Sequence, residues 1–148
     1  MPGRPRLFLD ASVLLAAAAS PDGGSALTLE LCKAGRALAL VTRLVLREAE
    51  RNIQAKLDET VLLRFYSLMA ELDPRVVPPP SEEEIATAAS VVAAKDAHVL
   101  AAARTSRATH LVTLDRKHFL SRERRQAVLP IIVCTPGELL DEMTAGKT

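Results

Sequence analysis

Aromatic side chains are scarce in this chain of 148 residues: they make up 3% of it, and Trp is absent. This scarcity argues against the aromatic stacking platforms on which many single-strand RNA-binding sheets depend. It also means that Ala, Leu and Val must form the core. With 49% apolar and 25% charged residues, the chain has the composition of a globular domain, which excludes disordered, collagen-like and small disulfide-rich classes.

Cysteines and long apolar runs are also few. Cys32 and Cys134 show neither metal-ligand spacing nor a disulfide framework, so we expect two reduced core residues. Arg4 and Arg6 precede an apolar run and superficially resemble a secretory signal, but Asp10 interrupts that run. No stretch approaches the roughly 18 apolar residues that span a bilayer. We therefore expect a cytoplasmic protein without membrane contact.

No sign of charge dominates the chain as a whole. Its 19 basic and 18 acidic residues give a net charge of +1, so any attraction for nucleic acid must be local. Residues 104–125 are the exception, with seven Lys or Arg and two acids, a net charge of +5. Arg116 and Lys117 lie within this segment beside Asp115 and are candidates for binding RNA phosphates. The three arginines between 122 and 125 also fit a solvated helix face.

Strand and helix patterns alternate along the whole chain. The predicted strands are 6–9, 38–41, 110–114 and 131–133; the predicted helices are 12–19, 25–34, 42–57, 59–72, 81–94, 96–107 and 136–143. The pattern around Val76 is too short for a firm strand. The alternation favours an α/β fold, a three-layer α/β/α sandwich with a central parallel sheet. We expect one domain over residues 1–148, with a core at about 6–140 and a frayed tail at 145–148.

Carboxylates stand at positions where a parallel sheet of this kind binds ligands. Asp10 and Asp115 each follow a predicted strand, and ligands of open parallel sheets bind beyond the carboxyl ends of the strands. Asp96 opens the helix that leads back to the same edge. Glu48 lies one residue from the apolar stripe of its helix, where a solvated Lys or Arg would cost less.

Each acid also has a purely structural interpretation. Asp is a favoured N-cap residue, so Asp10, Asp96 and Asp115 would each serve to satisfy free helix amides. Glu48 would pair with Arg51 or Lys56 on a solvated face. Together, however, carboxylates at one sheet edge raise one another's pKa values unless a cation lies between them. Oxygen ligands without a Cys or His cluster favour Mg²⁺ or Mn²⁺ over zinc.

Four segments in this order resemble the PIN-domain nucleases, and the resemblance covers roughly residues 6–140. They are FLDASVLL at 8–15, an isolated helical Glu48, KDAHVLAAA at 95–103 and LVTLDRKHF at 111–119. The chain is most similar to the VapC-like toxins of toxin-antitoxin pairs. The resemblance implies a Mg²⁺- or Mn²⁺-dependent endoribonuclease whose acidic positions fall on Asp10, Glu48, Asp96 and Asp115.

The resemblance and the chemistry together assign further roles. Asp10, Asp96 and Asp115 would be metal ligands, Glu48 would order a water or a second ion, and phosphodiester hydrolysis would follow. Ser12 and Thr113, which match polar positions of the family, would fix carboxylate orientation. The implied partners are RNA, a cognate antitoxin and a second copy of the chain, with an apolar helix face as the surface for either protein.

Some features leave alternatives open. Lys95 and His98 flank Asp96 where the family often has a second acid, so the number of metal ions stays open, as do the roles of His98 and His118. A haloacid dehalogenase phosphatase would need an acid where this chain has Ser12. A phosphoreceiver domain would need a phosphorylatable Asp after a middle strand, where residues 42–43 are Thr and Arg. A PIN-fold binding module with weak or no nuclease activity is a further alternative.

Overall fold

The computed structural model describes residues 3–145. The strands are β1 Arg6–Leu9, β2 Leu38–Val41, β3 Arg75–Val76, β4 His110–Val112 and β5 Ile132–Cys134. The helices are α1 Ala11–Ala19, α2 Gly24–Lys33, α3 Arg43–Lys56, α4 Glu59–Leu72, α5 Glu82–Ala88, α6 Ala97–Thr105, α7 Arg122–Ala127 and α8 Pro136–Ala145. A short 3-10 turn, Ala94–Asp96, leads into α6.

The five strands form one parallel sheet in the order β3-β2-β1-β4-β5. The chain moves outward from β1 through β2 to β3, then returns across the sheet to β4 and continues to β5. Because crossovers between parallel strands are right-handed, connections that run in opposite directions place their helices on opposite faces.

The helices accordingly form two layers. On one face α1 packs against α2, α3 and α4, and α8 packs against α2. On the other face α5 packs against α6, and the Arg124 guanidinium of α7 donates to the Val91 carbonyl of the segment that follows α5. The predicted three-layer α/β/α sandwich with a parallel sheet is confirmed.

The core is made of aliphatic side chains, as the composition predicts. The central strands β1 and β4 are buried almost completely, and their Leu and Val side chains contact helices on both faces. Helix α6 contributes the small residues Ala101, Ala102 and Ala103, each at most 1% exposed. Side chains this small let α6 lie close against the sheet.

Local signals in the sequence fix several helix ends. The Thr42 hydroxyl accepts from the Val45 amide at the start of α3. Ser81 and Glu84 form the predicted capping box at the start of α5. Gly35 follows α2 with a φ of +80°, a conformation that glycine adopts without the steric cost of a side chain.

Other boundaries differ from those predicted. The helix expected over 81–94 ends at Ala88, where the Ser90 hydroxyl donates to the Thr87 carbonyl and a series of turns follows. The strand expected over 110–114 ends at Val112, and the pattern around Val76 is a two-residue edge strand. Helix α7 adds to the predicted elements.

The ends of the chain and its apolar segments complete the description. A frayed tail is predicted from Ala145, but Ala145 is the last residue of α8. The rest of the predicted tail, residues 146–148, lies outside the described residues. Among residues 3–145, no helix has both the length and the apolar character needed to cross a membrane.

Candidate active site

The site lies where the order of the strands reverses, between β1 and β4. Leu9 pairs with Val112, and the Asp10 amide donates to the Val112 carbonyl at 3.1 Å. Asp10 follows β1 directly, and Asp115 follows β4 by three residues. The connections from these two strands leave toward opposite faces, which opens a crevice at the carboxyl edge of the sheet.

Asp10 is held by three hydrogen bonds in a buried position. Its Oδ1 accepts from the Ala11 amide at 2.9 Å, and its Oδ2 accepts from the hydroxyls of Thr113 at 2.7 Å and Ser12 at 3.2 Å. The residue is 8% exposed. Asp10 therefore caps α1 through Oδ1, as the structural interpretation predicts. Its other oxygen, Oδ2, accepts from two side-chain hydroxyls and takes no part in the cap.

Burial raises the pKa of Asp10 above its ordinary value of 3.8, and the negative charge of Asp115 adds to the rise, while the bonds from Thr113, Ala11 and Ser12 oppose it. A carboxyl whose pKa is higher in the folded state stabilises the fold at low pH. That contribution is lost as the pH rises from 3.8 through the raised folded value. At neutral pH the ionised Asp10 therefore costs stability, and a nearby cation would offset the cost.

Two hydroxyls connect Asp10 to the loop that carries Asp115. The Thr113 hydroxyl donates to Asp10 and accepts from the Asp115 amide at 3.0 Å. The Ser12 hydroxyl donates to Asp10 and accepts from the Leu114 amide at 3.1 Å. Each hydroxyl thus fixes both the carboxylate of β1 and the backbone beyond β4.

Asp96, Asp115 and His118 bring three ligand atoms within 4.8 Å of one another, a group that could hold a metal ion. His118 Nδ1 lies 2.7 Å from Asp115 Oδ2, and the His118 amide donates to Asp115 Oδ1 at 3.1 Å. Asp10 is not a member of this close group within residues 3–145, although its pKa responds to the charge of Asp115.

Asp96 has a carboxylate oxygen without a partner. It stands at the N-cap position of α6, but its side chain makes no capping hydrogen bond, contrary to the structural interpretation of this residue. Its Oδ2 is buried and has no hydrogen-bond partner in the described part of the chain. His118 Nδ1 is 3.9 Å away, too far for a hydrogen bond. Such an oxygen is costly to bury unless a cation approaches it.

Glu48 reaches toward α6 rather than along its own helix. Its Oε1 lies 3.0 Å from His98 Nε2, so the predicted pairing with Arg51 or Lys56 is not the one formed. His98 stands two residues after Asp96, in the first turn of α6. Glu48 is not part of the 4.8 Å group formed within residues 3–145, but its partner connects it to the same helix end.

Some basic residues of segment 104–125 make packing contacts, whereas others are exposed beside the site. The Arg124 guanidinium donates to the Val91 carbonyl at 2.8 Å. Arg125 donates to the Leu120 carbonyl and pairs with Glu138, both at 3.0 Å. Arg116 and Lys117, beside Asp115, are exposed. Two of the seven basic residues in this segment therefore stabilise the packing of α7, and the two residues next to the crevice are accessible.

The donors at this edge fit a hard divalent cation. Carboxylate oxygens predominate, as Mg²⁺ and Mn²⁺ prefer. Asp96 Oδ2 makes no hydrogen bond within residues 3–145, so it is free to act as a metal ligand. The imidazole nitrogen of His118 is a ligand that Mn²⁺ accepts more readily than Mg²⁺. Residue spacing gives one signal for His118, since it follows Asp115 by three residues within a turn, but it could not fix the ring's position.

Comparison with known proteins identifies the fold and the family pattern. The profile of a family described as PIN domain matches residues 6–117. The crystal structure of PAE2754 from Pyrobaculum aerophilum superposes with a TM-score of 0.64 at 22% identity, covering 95% of this chain and 96% of that one. At this identity the likeness shows a common fold. No curated protein sequence matches this chain.

Replacing Asp96 by Asn should separate metal binding from folding. In EDTA we expect Asp96→Asn to be at least as stable to unfolding as the unchanged protein, because Oδ2 has no hydrogen bond to lose within residues 3–145 and the substitution removes its buried charge. Saturating Mn²⁺ at about 100 times its Kd should stabilise the unchanged protein by about 2.7 kcal/mol. We expect little gain in Asp96→Asn. Asp22→Asn, a change at an exposed turn, is the control, and equal Mn²⁺ shifts in both variants would contradict the metal site.

The hydroxyl of Thr113 can be tested against that of Thr28, because both residues are fully buried. Thr113→Val removes the shortest bond to Asp10, and Thr28→Val removes a bond to the Gly24 carbonyl at 2.9 Å. Each variant should lose about 1–2 kcal/mol of stability. Only Thr113→Val should weaken Mn²⁺ binding in calorimetry, by about 10- to 100-fold. Equal affinities in the two variants would show that Thr113 does not orient a ligand.

Proposed function

The chain belongs to the PIN domain family, whose members generally are nucleases, and we propose that it is a Mg²⁺- or Mn²⁺-dependent endoribonuclease that hydrolyses RNA phosphodiester bonds. One observation supports this most directly. A buried oxygen of Asp96 has no partner in the described residues, and it lies beside Asp115 and His118 at the edge of the sheet where ligands bind.

The proposed metal ligands are Asp10, Asp96 and Asp115, direct or through water, with Glu48 ordering a water or a second ion. His118 joins them as a ligand that residue spacing left unassigned, since its Nδ1 is close to both Asp96 and Asp115. The raised pKa of Asp10 is consistent with a group that a cation would help to ionise.

A divalent cation bound here would supply an activated water and neutralise charge on the phosphate oxygens. The remaining work falls to the chain itself. Ser12 and Thr113 hold the Asp10 carboxylate at a fixed angle through their hydroxyls. His98 Nε2 lies 3.0 Å from Glu48 Oε1, a contact that supports the proposed role of Glu48 in ordering a water or a second ion.

Arg116 and Lys117 are the proposed RNA phosphate contacts. Both are exposed in the turn that follows Asp115. The neighbouring Arg124 and Arg125 are bound to carbonyls and to Glu138 and have little freedom to follow a substrate. RNA would therefore lie over the loop beyond β4.

The proposal extends to a toxin role, with a cognate antitoxin and a homodimer as protein partners and a cytoplasmic location. Leu27 on α2 and Leu63 on α4 are 52% and 58% exposed, and these accessible apolar side chains support the proposal of a protein partner. Cys32 and Cys134 are free thiols, as a reducing compartment would leave them. Burial raises their pKa values to about 11 and about 12.

Of the alternative functions, the strand order excludes the phosphoreceiver domain but not a PIN-fold binding module. A phosphoreceiver domain has the strand order 2-1-3-4-5, whereas this sheet has the order 3-2-1-4-5, so that alternative is wrong. A PIN-fold module that binds RNA or protein without cutting remains the second candidate. It predicts binding without metal-dependent cleavage.

Cleavage of labelled single-stranded RNA and of tRNA, with Mg²⁺, Mn²⁺ or EDTA, tests the proposal. We expect fragments only with a metal ion. Asp96→Asn should slow cleavage by about 100-fold or more, the loss typical of removing one preorganised catalytic group. Asp22→Asn should cut at the unchanged rate. Cleavage in EDTA, or equal rates for the two variants, would refute the proposed mechanism, and intact RNA that still binds would favour the binding module.

Salt dependence tests the phosphate-binding role of Arg116 and Lys117 separately. In the Asp96→Asn background, which keeps the RNA intact, Arg116→Ala and Lys117→Ala together should weaken RNA binding. They should lower the slope of log K against log salt by about 0.7 for each phosphate that the two cations neutralise. Arg36→Ala is the control, because Arg36 is exposed at the amino end of β2, on the far edge of the sheet. An unchanged slope in the double variant would place the RNA elsewhere.

A further inference from the structure

A cavity of about 570 Å³ opens beside the acidic site and is used by none of the roles given above. Its walls are apolar and are formed by Leu44, Val76, Ile85 and the three consecutive prolines at 78–80. Leu44 is 44% exposed and Val76 is 46% exposed. These side chains are accessible, although their apolar surface would be more stable when covered.

The cavity lies at the same edge of the sheet as the acids. Thr42 and Arg43, which follow β2, and Val77, which follows β3, all contribute to it. Since neighbouring strands are about 4.8 Å apart, the cavity is only one or two strand positions from Asp10 at the end of β1. His98 lines the cavity and also binds Glu48 at 3.0 Å. The cavity and Glu48 therefore meet at His98, which stands two residues after Asp96 in the chain.

The lining has a defined chemistry. Among residues 3–145, the ionisable side chains that line it are Arg43 and His98, and none is a carboxylate. Arg43 is exposed at the start of α3. A ligand that fits has flat apolar faces and is carried on an anionic chain, which describes a nucleobase on its phosphate backbone. Imidazole rings and guanidinium planes stack on unpaired RNA bases, so His98 and Arg43 supply surfaces that the few aromatic residues do not.

We propose that this cavity binds the base of the nucleotide next to the bond that is cut, and so makes the enzyme selective for RNA sequence. The inference rests on the proposed ribonuclease function and adds a base-binding subsite to it. With phosphates bound by Arg116 and Lys117, and by a cation that Asp96 and Asp115 would hold, the adjoining nucleotide would lie over the neighbouring strands. The base enters between the prolines and Leu44, where the Arg43 guanidinium and the His98 ring offer planes to stack on it.

The test fills the cavity and measures base preference without cleavage. In EDTA, binding of four labelled RNA hexamers, each with a single kind of base, is measured by fluorescence anisotropy. We expect the four hexamers to differ in affinity because stacking strength differs between bases, while the stacked base itself is worth about 5- to 100-fold in affinity. Leu44→Trp should weaken the binding of all four hexamers and remove the differences between them. Leu57→Trp is the control, because Leu57 is 37% exposed at the other end of α3.

The outcomes separate this inference from the nuclease function. Thermal melting first establishes that Leu44→Trp folds; if it does not, Arg43→Ala replaces it, with the same loss of preference expected. Metal-dependent cleavage with equal binding of all hexamers would keep the nuclease and refute the subsite. Base preference that Leu44→Trp removes, without cleavage by any variant, would keep the subsite and refute the nuclease. Preference that survives Leu44→Trp, with a changed elution volume in size-exclusion chromatography, would assign the cavity to a protein segment and overturn the proposal.

Discussion

The pairing of β1 with β4 determines how Asp10 and the loop that carries Asp115 meet. Leu9 and Val112 stand opposite each other, and the Asp10 amide continues the ladder to the Val112 carbonyl. Asp10 leads directly into α1, and the Thr113 hydroxyl, one residue after Val112, donates to the Asp10 carboxylate. A slip of one residue in this register would point the Thr113 hydroxyl to the other face of the sheet. The geometry of the site thus depends on backbone hydrogen bonds that involve no functional side chain.

Only some of the carboxylate oxygens at this edge of the sheet have hydrogen-bond partners within residues 3–145. Asp10 is satisfied by three donors, yet burial still raises its pKa. Asp115 is satisfied by His118, whereas one oxygen of Asp96 is satisfied by nothing in residues 3–145. The fold therefore tolerates a local cost that a cation would remove. A preorganised site typically has an unfavourable free energy at one position, here the buried Asp96 oxygen, while its neighbours are held by hydrogen bonds.

Sequence alone could place Asp10 and Asp115, because each follows a strand whose burial pattern is visible in consecutive residues. It could also place Ser12 and Thr113 near them. It could not find the partner of Glu48, since His98 is fifty residues away in sequence and the local alternatives, Arg51 and Lys56, fit equally well.

The same limit applies to Asp96 and to the arginines of α7. Whether an Asp at a helix start caps that helix depends on a side-chain rotation that packing decides. Arg124 and Arg125 are ordinary surface residues by composition, and only the position of Val91 and Glu138 in space turns them into packing contacts.

The alanines of α6 have a consequence for how this protein can diverge. Ala101, Ala102 and Ala103 are buried with almost zero exposure between α6 and its neighbours, and Asp96 stands at the start of the same helix. A larger side chain at any of them would push the helix outward, and displacements of about 1 Å at a reacting centre can cost about 100-fold in rate. Under the proposed function, packing therefore constrains these three methyl groups as well as the acids, although the methyl groups take no part in the chemistry.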